Sequence, residues 1–181
     1  MTQPDDSGRF TAIYAAHHQQ VYAYAAGRAG RDLADDVVGD TFLIAWRRLD
    51  AVPAAALPWL LGVARNVVRE RYRTEVRQAG VAAELRAWVD DAEQDVADGV
   101  TERAAVLAAL GRLGEQDREL LTLVAWHGLA AREAARVVGC STAAYFVRLH
   151  RARRRLEQAM SPPPGAARHA TPTLAIEEIT R

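Results

Sequence analysis

Lysine is absent from this chain: every one of its 23 basic residues is arginine. With alanine and valine in excess, that usage reads as the coding bias of a GC-rich genome. The number of arginines therefore carries no information about phosphate binding, and only their positions do. Acidic residues also number 23, so the formal net charge is zero. A uniformly basic coat for nucleic acid is excluded, and only segregation of opposite charges along the chain leaves room for an anionic partner. The single cysteine, Cys140, excludes an internal disulfide and a cysteine-based zinc site. The opening "MTQPDDSGRF" has neither the basic nor the apolar segment of a signal peptide. No apolar run approaches the roughly 20 residues that cross a bilayer, so a cytoplasmic location without membrane insertion is expected. Aromatic residues are only 7% of the chain, and no stretch alternates apolar with polar residues. Strands have no support, and an all-α fold follows.

Helical spacing begins near Phe10 and runs through Ile13, Tyr14, Val21 and Tyr24 to a break at "GRAGRD", with Gly27 and Gly30 as the breakers and Asp32 as the cap of the next helix. "DLADDVVGDTFLIAWRRL" then places Leu33, Val37, Val38, Phe42, Ala45, Trp46 and Leu49 on one side and leaves Asp35, Asp36, Asp40 and Arg47 outside. Gly39 weakens that helix by about 1 kcal/mol against alanine. "DAVPAAALP" reads as a loop. It feeds "WLLGVARNVVRERYRTEVR", a helix that opens apolar and closes basic. Three helices around one core are expected. "DDAEQDVADGVTER" is rich in carboxylates and has little to bury, so it reads as a flexible acidic linker between two small helical domains. The expected boundaries are 1–80, linker 81–101, second domain 102–160, and a flexible Pro-rich tail over 161–181.

The second half ends in "LAAREAARVVGCSTAAYFVRLHRARRRL". A short helix with Leu129, Ala134, Ala135 and Val138 for the core is followed by a Gly139 stop, then by Ser141 as N-cap of a longer helix, which is the layout of a helix-turn-helix. Tyr145, Leu149, Ala152 and Leu156 form the core stripe of that longer helix. Ala143, Val147, His150 and Arg154 point away from it, with Ala144 and Arg151 alongside. A recognition helix presents its N-terminal residues to base edges. Ser141, Thr142, Ala143, Ala144 and Val147 are thus placed for bases, and the cluster Arg148, Arg151, Arg153, Arg154 and Arg155 for phosphates. Phe146 and Val147 have two readings: apolar contact with thymine methyls, or packing against a neighbouring helix or a partner.

In order and spacing these segments resemble the extracytoplasmic-function (ECF) sigma factors, compact two-domain bacterial initiation factors, from about Phe10 to Gln158. "ADDVVGDTFLIAWRRL" is similar to the family's helix for core RNA polymerase, and "PWLLGVARNVVRERYR" to its promoter-melting segment. "LGRLGEQDRELLTLVAWHGLAAREAARVVGCS" with "RLHRARRRL" is similar to the domain that binds the minus-35 element and the polymerase flap. The resemblance implies that Asp35, Asp36, Asp40, Phe42 and Trp46 meet the polymerase clamp helices. It implies that Trp59, Arg65, Asn66, Arg69, Arg71, Tyr72 and Arg73 handle the minus-10 element, with Asn66 at the pocket for a flipped base. Ser141, Thr142, Ala143, Ala144, Phe146, Val147, Arg148, His150, Arg151 and Arg154 are implied at the minus-35 element. A basic track interleaved with aromatic side chains suits unstacked single-stranded DNA. An anti-sigma partner is also implied. Gly39 and Ile44 depart from the polar residues usual in the clamp helix, and Ala144, Phe146 and Val147 from the usual Thr, Lys and Ser of the recognition helix. Apart from the resemblance, Trp59 also reads as a core anchor, Asn66 as a surface amide and the three aspartates as a solvated face.

The competing function is a stand-alone helix-turn-helix regulator that binds duplex DNA without polymerase. An aspartate-rich helix followed by an arginine-and-aromatic helix argues against it, because a dimerisation domain has no need of them. An enzyme has little support. His17 and His18 are adjacent rather than a helical turn apart, His127 and His150 lack carboxylates at ligand spacing, and no phosphate loop or nucleophile elbow occurs. No catalytic residue, metal or cofactor is expected.

Overall fold

The computed structural model describes residues 4–78 and 100–161. Among the described residues all regular structure is helical: α1 (Pro4–Ala29), α2 (Arg31–Arg47), a 3-10 turn (Leu49–Ala51), α3 (Ala56–Gln78), α4 (Val100–Arg112), α5 (Glu115–Ala125), α6 (Ala131–Val138) and α7 (Thr142–Met160). Most of the expected linker and the tail beyond Ser161 lie outside the described residues; the last two linker positions belong to α4.

The first unit is three helices around one core. α1 begins at Pro4 rather than near Phe10, since proline's fixed φ and missing N–H suit the first helical position. Gly27 does not break the helix. Gly30 does, at φ 81°, a conformation that favours glycine. Gly30 also occupies the cap of α2, whereas Asp32 sits in its first turn, close to the positive end of the helix dipole. α2 runs unbroken through Gly39 and buries Ala34, Val37, Val38, Thr41, Phe42 and Ala45. Leu33 and Trp46, expected in that set, are only half-buried, and Thr41 takes a place by donating its hydroxyl to Val37 O at 2.6 Å. α3 starts at Ala56, so the loop is shorter than expected; Pro58 falls in its first turn, where a missing N–H costs nothing. Arg9 Nη2 donates to Val52 O at 2.7 Å and ties α1 to that loop.

The second unit packs α4, α5 and α6 against α7. Gly139 at φ 72° ends α6, and Ser141 Oγ accepts from Ala144 N at 3.2 Å to start α7, as a helix-turn-helix requires. Glu133 adds a reciprocal cap at the start of α6, accepting from Ala130 N at 2.9 Å. The core of α6 uses Val137, with Val138 half-buried, one position from the expected residue. In α7 Tyr145, Leu149 and Ala152 are buried and Leu156 is half-buried, which reproduces the expected stripe. The Tyr145 hydroxyl donates to Leu120 O at 2.8 Å and pins α7 to α5. Burial pushes that hydroxyl's pKa up to about 12.

The two units are not apart. α3 packs on α6, and the buried apolar residues of both form one continuous cluster.

Candidate nucleic-acid interface

The outer face of α7 is open. Ala143, Phe146, Val147, Arg148, His150, Arg151 and Arg154 are all exposed, while Thr142 and Ala144 are half-buried beside them. Phe146 is 57% exposed and Val147 52%, so neither is packed in by the described residues. Of the two readings of these apolar residues, packing against a neighbouring helix among the described residues is removed, and contact with a partner or with DNA is left. Arg155 behaves differently from the other arginines of this helix: its Nη1 meets Asp117 Oδ2 at 2.6 Å and clamps α7 to α5.

On α3 the expected single-strand residues divide by direction. Asn66, Arg69 and Arg73 recur at spacings of three and four and form an exposed stripe along one side of the helix. Arg73 makes only a loose approach to Glu70, at 3.6 Å with both side chains well exposed. Trp59 is half-buried and packed against the core, which fits the anchor reading. The other three are engaged within the chain. Tyr72 donates its hydroxyl to Arg28 O at 3.0 Å. Arg71 reaches α2, where Nη2 pairs with Asp40 Oδ2, Nε lies 3.2 Å from the same oxygen and Nη1 3.1 Å from Asp36 Oδ2. The hydrogen bond to Asp40, with the charges of both carboxylates, raises the Arg71 pKa above its ordinary value. Arg65 donates through Nε to Glu119 Oε1 of α5 at 2.9 Å.

The acidic helix is correspondingly less open than its sequence suggests. Asp36 and Asp40 lie one turn apart on the side of α2 that faces α3 and share one guanidinium; Asp35 is exposed. Phe42, expected at a polymerase contact, is 3% exposed. It falls in the same stripe as Val38, Ala45 and Leu49, and its ring packs against Tyr14 (4.7 Å between centroids) and Phe10 (6.3 Å). A side chain with so little surface serves the core rather than a partner. Trp46 is half-buried, edge-on to Phe10 at 5.0 Å. The apolar side chains that do emerge on this side are Leu43, 46% exposed, and Tyr14, 41% exposed.

A further cluster escaped the sequence. Glu119, on α5, is 2% exposed. Its Oε1 accepts from the Tyr24 hydroxyl at 2.6 Å as well as from Arg65, and its Oε2 lies 3.7 Å from Arg28 Nη1. Arg28 also pairs with Glu115 Oε1 at 2.7 Å, while its buried Nε has no hydrogen-bond acceptor among the described residues. Burial, and then the neighbouring Glu119 charge, hold the Tyr24 hydroxyl well above its ordinary pKa. The His127 ring sits edge-on to Tyr24 at 5.7 Å. The signal for this cluster was present. Arg28 occupies the next place in the buried stripe Val21, Tyr24, Ala25, and Glu119 stands one turn before the buried Leu123. A charge on an apolar stripe needs a buried partner.

Two family models match the two helical units. "Sigma-70 region 2" covers residues 13–78, and "Sigma-70, region 4" covers residues 103–156. The chain is 35% identical over 182 residues to the RNA polymerase sigma factor CnrH of Cupriavidus metallidurans, covering 84% of this chain and 94% of that one. It is 30% identical over 161 residues to the ECF RNA polymerase sigma factor BldN of Streptomyces coelicolor, covering 85% of this chain. This chain belongs to the ECF sigma factors. It spans 61% of the length of BldN, against almost the whole of CnrH. Solved structures share the fold. The sigma factor CnrH in complex with the cytosolic domain of CnrY superposes with a TM-score of 0.57 at 28% identity, covering 82% of this chain and 85% of that one. The Bartonella quintana sigma factor RpoE, solved with the anti-sigma factor NepR, gives 0.63 at 23% identity, covering 83% and 96%. In this ECF sigma factor, then, α1–α3 correspond to region 2 and α4–α7 to region 4. The departures noted above acquire a place: Phe146 and Val147 are solvent-facing on α7 of region 4, and Gly39 is exposed on α2 of region 2.

Proposed function

We propose that this ECF sigma factor binds core RNA polymerase through the exposed parts of α2, reads the minus-10 element with α3 and reads the minus-35 element with α7. The observation that carries the reading is the pairing, in one chain, of two open faces: Asn66, Arg69 and Arg73 on α3, and Ala143, Val147, Arg151 and Arg154 on α7. A single-stranded segment needs cations in a row beside a group that receives an unstacked base, and the first face supplies two arginines and the Asn66 amide. A duplex major groove accepts a helix whose base-facing residues are small, and the second face has an alanine and a valine there. On α2 the clamp contact falls to Asp35, to the outer oxygens of Asp36 and Asp40, and to Leu43 and the exposed edge of Trp46. Polymerase supplies the chemistry and the chain supplies selection, so it acts as an initiation factor and not as an enzyme. Residues 1–80 and 102–160 are the two working units, and tethering them makes the second contact effectively intramolecular.

CnrH and RpoE were each solved with a bound partner, the cytosolic domain of CnrY and the anti-sigma factor NepR. By extension, an anti-sigma protein controls this chain. No helix among the described residues is long and apolar enough to cross a membrane, which is consistent with action in the cytoplasm. The test is reconstitution. Purified chain is added to bacterial core polymerase, and transcription is run on a pool of genomic promoter fragments. New start sites sharing two upstream elements are expected. Duplex binding without core association and without initiation would install the stand-alone regulator instead.

A further inference from the structure

We propose that Phe146 and Val147 make α7 a reader of the pyrimidine C5-methyl group, so that thymine and 5-methylcytosine are equivalent to it and cytosine methylation strengthens a minus-35 element. That role rests on the reading of α7 as the minus-35 helix, and it names the chemical group the helix selects.

Four side chains of α7 form one patch. Ala143, Phe146, Val147 and His150 stand at i, i+3, i+4 and i+7, the spacing that gathers side chains on one side of a helix, and all four are exposed. At 100° per residue the patch lies clear of the buried stripe Tyr145, Leu149 and Ala152. Phe146 and Val147 are each more than half exposed, and adjacent large apolar side chains left in water mark a contact surface. The rim says what kind of surface. Arg148, Arg151, Arg153 and Arg154 are exposed around the patch on α7, as are Arg132 and Arg136 on α6, the helix that crosses the phosphate backbone in a helix-turn-helix. No carboxylate occurs between Thr142 and Ala152. An apolar centre ringed by cations fits an anionic partner with apolar groups to cover. The major groove is such a partner, and the apolar group on its base edges is the C5-methyl.

What the patch lacks decides what it distinguishes. Ala143, Phe146 and Val147 have no hydrogen-bonding side-chain atom. The nearest hydroxyls serve the fold: Ser141 Oγ accepts from Ala144 N at 3.2 Å, and Thr142 is half-buried. Hydrogen-bond readout separates T·A from C·G by the thymine O4 acceptor against the cytosine N4 donor, and by the purine edge opposite. An apolar side chain makes neither bond. It gains by covering the methyl, and 5-methylcytosine carries that methyl on the same ring carbon. Ala143 to Val147 spans about 6 Å of helix, or about two base pairs at 3.4 Å per pair, so two adjacent positions are in reach. Losing one methyl from such a contact costs about fourfold in affinity, equivalent to about 0.8 kcal/mol. Methylation therefore grades promoter strength and does not switch it on or off.

The experiment measures binding of holoenzyme, assembled from the full chain and core polymerase, to duplex promoter fragments carrying the minus-35 element found in the transcription test. Each thymine of the element, on either strand, is replaced in turn by deoxyuridine and each cytosine by 5-methylcytosine, so that only a methyl is lost or gained. At one or two adjacent positions the loss should weaken binding, or the gain strengthen it, about fourfold. Four base pairs are then compared at such a position. T·A and 5-methylC·G should bind alike, and U·A and C·G should bind alike but about fourfold more weakly. Phe146→Ala combined with Val147→Ala should bring that ratio to one. Arg151→Gln should weaken all four templates alike and keep the ratio, because a phosphate contact carries no sequence information. A ratio taken on each protein separates methyl recognition from any general loss of fold or affinity. A scan with no responding position assigns Phe146 and Val147 to a protein contact and overturns the methyl reading. A preference for T·A that 5-methylC·G does not share overturns it too, as does a ratio that survives the double variant. If the chain selects duplex DNA only without core polymerase, the sigma reading falls, and the same templates titrated with free chain decide the methyl reading in the same way. If it binds no duplex in either form, both fall.

Discussion

Replacing Arg71 by alanine separates a structural arginine from a DNA-binding one. The basic end of α3 reads as a uniform track in sequence, but Arg71 is turned towards α2, where it bridges Asp36 and Asp40. The guanidinium is 31% exposed and the two carboxylates 63% and 46%, so solvent screens the pairs heavily. Exposed pairs contribute about 0.2–1 kcal/mol each, and the shared geometry here places the total near 1 kcal/mol. For a unit of this size, that loss lowers the melting temperature by about 4–8 °C. Binding should respond differently. Each phosphate contact on single-stranded DNA adds about 0.7 to the slope of log affinity against log salt concentration. Holoenzyme carrying Arg71→Ala, titrated against a forked minus-10 template over a salt series, should keep the unmodified slope while the free protein melts earlier. Arg69→Ala and Arg73→Ala should each reduce the slope by about 0.7 and leave melting nearly unchanged. An Arg71→Ala slope reduced as far as that of Arg69→Ala, with no change in melting, would refute the division of α3 into a paired side and an open side.

Other expectations follow from individual contacts. Val147→Ser should weaken discrimination for thymine at one position of the minus-35 element by up to about 1 kcal/mol, measured by promoter-library selection with holoenzyme, while stability stays unchanged because the side chain is 52% exposed. Tyr145→Phe removes the hydroxyl bond to Leu120 O and should cost about 0.5–1.5 kcal/mol in thermal melting, with a parallel loss of minus-35 affinity as α7 loses its fixed seat on α5. Gly139→Ala forces a side chain into a φ of 72° and should destabilise the helix-turn-helix by roughly 1 kcal/mol in denaturant titration. Burial holds the His127 imidazole below its ordinary value of 6.5, so the native state binds fewer protons than the unfolded one. Its contribution to stability is complete above about pH 6.5 and is lost as pH falls through the lowered native value. His127→Gln should therefore melt with a shallower loss on acidification than the unmodified chain.

Periodicity made most of the helices legible, because a stripe repeats often enough to average out single misfits. The stripe Tyr145, Leu149, Ala152, Leu156 and the turn Gly139 to Ser141 are legible from spacing and cap chemistry alone. Helix ends were less legible. Pro4 starts α1 before the apolar pattern does, because its fixed φ and missing N–H suit the first helical position, and Ala56, itself only 4% exposed, starts α3 inside the stretch that reads as a loop. The candidate site was readable as faces and not as partners. Asp36, Asp40 and Arg71 are far apart in sequence, and no spacing rule announces that they neutralise one another. Phe42 fits both the core stripe and the polymerase contact in sequence, and its burial leaves only the first. The interdomain cluster was hidden for another reason: Arg28 and Glu119 each break an apolar stripe in their own unit, but the resolution of each lies in the other unit. A reading that treats the halves as independent domains has no place for it.

The most direct test of the account tethers a DNA-cleaving probe to one cysteine at a time, Asn66→Cys on α3 or His150→Cys on α7, with Cys140→Ser, and maps strand breaks in the promoter complex formed with core polymerase. The account predicts breaks near minus-10 from the first position and near minus-35 from the second, two clusters about 25 base pairs apart on the same template, or roughly 85 Å. Breaks from both positions falling in one cluster, or appearing only without core polymerase, would contradict it.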